Sequence, residues 1–170
     1  MASSLSFEVS PNANGEMWAI TGTDGQTGEE VKIHLSKEMS TVNLYYQISA
    51  QSAVEGWQFA DNGTLFVNAQ DNFNYQVSSI VANEGKSMIV SITSIESCKT
   101  IPDEIAKEMA DNLSTPYRVG LVDNYNFEIA FRLIAKIVKP EQPDQPEQPK
   151  EDVRYFSQDP RVIIDDTDPV

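Results

Sequence analysis

One cysteine, one histidine and only 12 basic residues against 26 acidic ones are what the 170-residue sequence withholds first. Each scarcity closes off a class of chemistry. A lone thiol, Cys98, cannot form an internal disulfide, so the chain does not read as a small disulfide-stapled secreted scaffold. With His34 the sole imidazole and Cys98 the sole thiol, a zinc site of four nitrogen and sulfur ligands cannot be assembled from this chain alone. His34 as a general base has no nucleophile placed beside it by spacing, and its position on the polar side of a strand pattern suits a solvated imidazole. No cofactor is expected.

No apolar run approaches the ~20 residues needed to cross a bilayer as a helix. Met1–Glu8 carries neither a positive segment nor an apolar stretch of signal-peptide length, so the expectation is a protein made in a cytoplasm and kept there or carried into a particle. The net charge of −14 lacks the Lys/Arg footprint that phosphate needs, which argues against nucleic acid as a partner and equally against an anionic membrane surface. Solubility and a basic protein surface are the two readings that this charge supports.

What is present is organised around Pro140–Pro149, where Pro140, Pro143, Pro146 and Pro149 recur with a strict period of three. Polyproline II has three residues per turn, so the prolines share one face of a left-handed rod, with Glu141, Asp144 and Glu147 on the second and the glutamines on the third. Ten such residues make a semi-rigid spacer of about 30 Å. The expected organisation is therefore a β domain over 1–139, a Pro-Glu-Gln linker over 140–150 and an acidic extended docking arm over 151–170. The first 139 residues hold 9 basic and 17 acidic side chains, the last 31 hold 3 and 9, so the arm and linker are the more acidic per residue.

The body reads as strands. Leu5, Phe7 and Val9 alternate with polar residues up to the turn Pro11–Gly15, and Val42, Leu44, Tyr46 and Ile48 share one face opposite Asn43, Tyr45 and Gln47. Met17–Thr21 and Glu30–Leu35, joined by the Gly-rich Thr23–Gly28, predict a hairpin; Trp57–Ala60 and Thr64–Asn68 predict another around Asn62-Gly63, a pair that tolerates positive φ. Phe73–Ser79 alternates, Asn83–Lys86 is a turn, and Met88–Ile95 is a strand with both faces partly covered. Pro102–Leu113 is the one helix, with Asp103 and Glu104 in its first turn and Ile105, Met109 and Leu113 along one face, expected to cap an end of the sheets. Tyr117–Val122 is a further strand candidate. Asn126–Val138 is the longest regular pattern, a strand with Phe127, Ile129, Phe131, Leu133, Ala135 and Ile137 on one face, a helix over Phe127–Lys139 being the weaker fit. About eight or nine strands with turns at this spacing predict an all-β antiparallel sandwich with one short helix.

Most chemical motifs dissolve on inspection. Gly85-Lys86-Ser87 imitates the end of a P-loop, but Ile80 stands where the first glycine belongs, and a strand rather than a helix follows. Acid-and-amide turns at Asp24–Glu29, Asp61–Asn62, Asn68–Asp71 and Asp123–Asn124 offer oxygens to calcium but match no EF-hand order, and β-turns use the same residues. The sequons at Asn62 and Asn112 are chance matches in a chain read as cytoplasmic. Carboxylates are plentiful enough for an acid-pair hydrolase, yet no pair is marked. Tyr45 and Trp57 are candidates for an aromatic ligand surface, against the commoner fate of strand aromatics as core. Because Tyr45 and Tyr46 point to opposite faces, one of them is expected to be covered by an edge, the arm or a neighbouring subunit.

The arm carries the strongest lead. Val153, Tyr155 and Phe156 form one apolar cluster and Val162, Ile163 and Ile164 another, more than a solubilising tail needs. Arg161–Asp165 is suited to adding a strand to an exposed sheet edge, either of another chain or of its own body. In organisation, though in no aligned motif, a compact β domain followed by the 140–149 strut and the 151–170 arm resembles bacteriophage virion accessory proteins. That resemblance implies a non-enzymatic structural or attachment protein, a capsid-associated, tail or baseplate adaptor located in the virion. Its partners are expected to be protein subunits, its own copies included, gathered into a homo-oligomer by avidity. A carbohydrate- or protein-binding module is the alternative. On either reading, residues 1–139 are expected to stay folded when 140–170 is removed.

Overall fold

A computed structural model describes residues 2–12, 14–23, 28, 30–34, 41–66, 75–94, 99–123, 126–139, 152–158 and 161–165. The fold is mostly β, with short helices. Alternation creates the first sheet. In β1 (Ala2–Pro11), β2 (Trp18–Gly22), β4 (Thr41–Ile48), β6 (Tyr75–Ala82) and β7 (Ser87–Ser94), every second side chain faces inward, and the order is β2-β1-β4-β7-β6. Phe7, Val9, Val42, Leu44, Tyr46, Ile48, Met88, Val90 and Ile92 are buried, as period-two burial requires.

The second sheet is built on β10 (Asn126–Ile137). β5 (Trp57–Phe66) pairs with one side of it. The other side takes β11 (Tyr155–Phe156) and β12 (Arg161–Asp165), and β3 (Glu30–His34) lies beyond β12. Ile129, Phe131, Leu133, Ala135, Val162, Val31, Ile33, Trp57 and Phe59 bring this sheet into the same hydrophobic cluster as the first. A third, two-stranded sheet pairs β8 (Lys99–Thr100) with β9 (Val122–Asp123), closing the excursion that carries the second helix.

Several expectations change. The sheets are mixed rather than antiparallel: β1 runs parallel to β4, and β3 runs parallel to β12. Such pairs need a long crossover and leave no local turn to recognise. β2 and β3 do not form the expected hairpin; β2 pairs with β1 and β3 with β12. Asn62-Gly63 is not a hairpin tip either. β5 passes through it as one strand, with its register against β10 shifting around Leu133 and Ala135, and with Asp61 (φ 59°) and Gly63 (φ 86°) in the left-handed region. The positive φ was legible, but here it serves a bulge. A Cβ on Gly63 would collide with Met88 and Val81, so glycine is also what lets the bulge close on β6 and β7.

The helices differ as well. Besides α2 (Asp103–Asp111) there is a short α1 (Ala50–Val54), whose N-cap Ser49 accepts from the Ser52 N–H at 3.3 Å. α2 buries none of its residues and so does not cap the core, and Leu113, beyond its end, is 91 % exposed. Of Tyr117–Val122 only Val122 is in a strand. The turn at Asn83–Lys86 joins β6 to β7 as expected, which accounts for Gly85-Lys86-Ser87. Among the described residues no helix is long and apolar enough to cross a membrane.

The Pro140–Pro149 strut lies outside the described residues, but the residues flanking it are informative. Ala135 stands opposite Tyr155 in an antiparallel pair, so the linker joins neighbouring strands of one sheet rather than two separated bodies.

Candidate functional site

The arm is seated along β10. Ala135 and Ile134 face Tyr155 and Phe156; Ala130 to Asn126 then face Arg161 to Asp165. One extra residue on the arm separates the two stretches, and Ser157 mends the break. Its N–H donates to the Leu133 carbonyl at 2.9 Å, and its Oγ accepts from the Leu133 N–H at 2.8 Å, taking the place of a ladder carbonyl. Arg132 Nη1 donates to the Ser157 carbonyl at 2.9 Å. Ser157 is fully buried, so this pairing satisfies groups that water does not reach.

Three further contacts fix the arm. Tyr155 meets Trp57 edge-on at 5.0 Å between ring centroids, and Trp57 in turn meets Trp18 at 6.3 Å. The Tyr155 ring lies over Gly15 (φ 73°), where any Cβ would enter it. Gln158 reaches the other sheet: its Nε2 donates to the Trp18 carbonyl at 2.6 Å and its Oε1 accepts from the Trp18 N–H at 3.3 Å. Since β2 is the terminal strand of its sheet, this amide supplies the partner that an edge residue otherwise lacks. Arg154 Nε donates to Asp61 Oδ2 at 2.9 Å, and Nη1 donates to Asp152 Oδ1 at 2.5 Å. The Arg154 hydrogen bond holds the Asp61 carboxyl below its usual range, and the two carboxylates together push Arg154 up. A depressed carboxyl is the opposite of what a general acid needs.

The predicted arm residues therefore divide. Val162 is fully buried between β10 and β3, Ile163 is half-buried opposite Glu128, and Tyr155 packs on Trp57. Val153 and Phe156 remain exposed. Arg161 and Ile164 hold backbone positions in β12 opposite Ala130 and Phe127. The arrangement binds a peptide through backbone pairing with side-chain anchors, which is strand addition within one chain. Ser157, Gln158, Trp18, Gly15 and Asp61 were not legible as parts of it; the polar break between the two apolar clusters is the only trace that the sequence offers.

The aromatic surface needs correction. Trp57 is 1 % exposed and belongs to the core beneath the arm, so it cannot be a ligand contact. Tyr45 is 39 % exposed on the outer face of the first sheet, and Tyr46 is buried against Phe7 and Phe131, so the expected cover over the second tyrosine is not supplied by the described residues of this chain. Tyr45 instead heads a cross-strand row with Ile89 and Ile80, the last 66 % exposed. Polar neighbours flank the row, Ser91 donating to Asn43 at 2.7 Å.

Of the calcium-type turns, Asn68–Asp71 and all of Asp24–Glu29 except Gly28 are outside the described residues, as is Cys98, while Asp61 is engaged by Arg154. No family model matches the chain, and no curated protein matches it.

Proposed function

We propose that this chain is a non-enzymatic structural protein of a larger assembly, in which two sheets packed face to face as a β-sandwich present a C-terminal arm as the assembling element. The observation carrying this reading is the seat of the arm: a peptide joined through a proline-rich linker pairs along β10 and buries Val162 as an inner strand. Strand addition of this kind gives affinity through the backbone and register through side-chain pockets, the properties an attachment element needs. The acidic balance of the chain suits basic protein surfaces as neighbours. A bacteriophage virion, with the chain as a capsid-associated, tail or baseplate adaptor, is the setting that this organisation best fits.

The test is co-sedimentation. Particles induced from the strain that carries the gene are banded on a density gradient and probed with an antibody against this chain. The chain is expected at fixed stoichiometry in the particle band; recovery only from the soluble fraction, with none in purified particles, would end the virion reading.

A second reading is supported by the Tyr45–Ile89–Ile80 row: a recognition module that stacks a sugar or peptide on the outer face of the first sheet. A glycan array with the native chain and Tyr45→Ala separates the two, since only a recognition module loses a defined ligand with Tyr45.

A further inference from the structure

We propose that α2 is a docking element: its apolar face, with Leu113 beyond it, seats in an apolar groove rimmed by Lys and Arg on another protein. This docking rests on the assembly reading above and gives that assembly a partner of defined chemistry. Residues 99–123 leave and rejoin the body through the β8–β9 pair, and none of them is buried. Ile105 and Met109 lie one turn apart on α2 and are only half-buried, while Leu113, four residues on, is 91 % exposed. A helix of nine residues is shorter than the ~12–15 at which an isolated helix becomes even marginal in water, and helices in proteins are stabilised mainly by packing an amphipathic face. α2 has such a face and no buried residue on it. Apolar anchors repeating at four along one face are what a groove on a partner reads from a helix.

Charge selects the partner. Within α2, Asp103, Glu104, Glu108 and Asp111 stand against Lys107 alone, and no basic residue lies in the last turn. The C-terminal end of a helix carries partial negative charge that Lys or Arg ordinarily offsets, and here Glu108 and Asp111 add to it. Asn112 Nδ2 and Tyr117 Oη donate to the Glu108 carbonyl, at 2.9 and 3.5 Å, and both are uncharged. Negative charge thus sits beside Met109 and Leu113, the anchors at that end. An apolar floor with Lys or Arg where the helix stops complements both features. A second copy does not, because at −14 it repels an acidic helix.

Photo-cross-linking tests this on the full chain, in intact cells of the strain that carries the gene. Benzoylphenylalanine replaces Leu113, or in a control Val54, which is 88 % exposed on α1, and each adduct is mapped to its cross-linked peptide. Position 113 is expected to give one defined adduct, absent from position 54, with another protein at a peptide carrying Lys or Arg among apolar residues. Glu108→Lys with Asp111→Lys should reduce that adduct at least about tenfold by setting like charges together. The same two lysines favour a helix C-terminus, so melting of α2 cannot explain the loss, and far-UV circular dichroism should show helix content kept or raised. The docking is wrong if position 113 gives no adduct, the same adduct as position 54, an adduct with a second copy or the chain's own body, one at a peptide without basic residues, or a yield indifferent to the two lysines. A chain that bands with particles but gives no adduct sinks the docking and leaves the assembly reading standing. A lysine-sensitive adduct with a basic protein, when neither that protein nor the chain is found in particles, keeps the docking and ends the virion reading.

Discussion

Gln158 acts as a strand for Trp18. One side-chain amide returns both backbone hydrogen bonds of an edge residue, at 2.6 and 3.3 Å, across 140 positions of sequence. It joins the arm of the second sheet to the first sheet's terminal strand, so the arm ties both sheets as well as completing one. Substitution separates the donor from the acceptor. Gln158→Ala removes both bonds and is expected to cost about 1–2 kcal/mol, the usual net worth of a pair of neutral hydrogen bonds. Gln158→Glu should cost more, because it loses the donor and sets a carboxylate against the Trp18 carbonyl. Urea denaturation of the three proteins at neutral pH measures the order; equal midpoints would mean that the amide is a passenger.

The same geometry reverses an expectation about truncation. A chain ending at residue 139 would lose β12, the inner strand that separates β10 from β3. β3 would then lack its observed ladder partner, Trp57 would be uncovered on the Tyr155 side, and the Leu133 N–H would lose Ser157. Buried donors left unpaired cost about 1–3 kcal/mol each, a large share of a domain's stability of about 5–15 kcal/mol. The truncated chain should melt broadly or aggregate, and a synthetic peptide of residues 150–170 should restore a cooperative transition. A sharp, unshifted melt of residues 1–139 would show the arm to be dispensable.

The parts of this fold that were legible are those in which one face is buried. Val42 to Ile48 and Ile129 to Ala135 alternate because a strand with one covered face has no other option, and both strands stand where the pattern put them. Pairing partners were not legible. β1 with β4 and β3 with β12 are parallel pairs brought together from distant parts of the chain, and side-chain alternation carries no direction. Asn62-Gly63 announces positive φ without saying whether a turn or a bulge uses it. Trp57 shows the same limit in the site: its residue type is as suitable for a ligand surface as for a core, and only the placement of Tyr155 and Trp18 around it decides. The apolar clusters of the arm were visible, but the seat they fill is made of four separated stretches of chain, around Gly15–Trp18, β3, β5 and β10.

The Arg154–Asp61 contact should make the arm acid-sensitive. Asp61 titrates lower in the folded chain than in the unfolded one, chiefly through the Arg154 hydrogen bond. A depressed carboxyl contributes stability that is complete above its unfolded pKa of about 3.9 and disappears as pH falls through the lower folded value. The wild-type advantage over Asp61→Asn should therefore be constant from neutral pH down to about 5 and shrink below about 4. Because the pair is largely exposed, the advantage should be small and should diminish in high salt. Melting temperatures of both proteins from pH 3 to 7 give the comparison, and a gap that widens toward acid would contradict the assignment.

Tyr46 gives the opposite kind of prediction, a substitution that should help. Its ring stacks on Phe7 at 5.1 Å and meets Phe131 edge-on at 6.4 Å, so the aromatic body is well used. Its hydroxyl is buried and makes no hydrogen bond among the described residues, and burial drives its pKa upward, keeping the phenol neutral. An unpaired buried donor costs about 1–3 kcal/mol, whereas the ring contacts survive removal of one oxygen. Tyr46→Phe is thus expected to raise the unfolding free energy by about 1 kcal/mol, with the cavity left by the oxygen offsetting part of the gain. Calorimetry on the two full-length chains settles the sign. A loss of stability would mean that the hydroxyl has a partner in solution, and the core between the sheets would then contain a polar contact rather than an orphan.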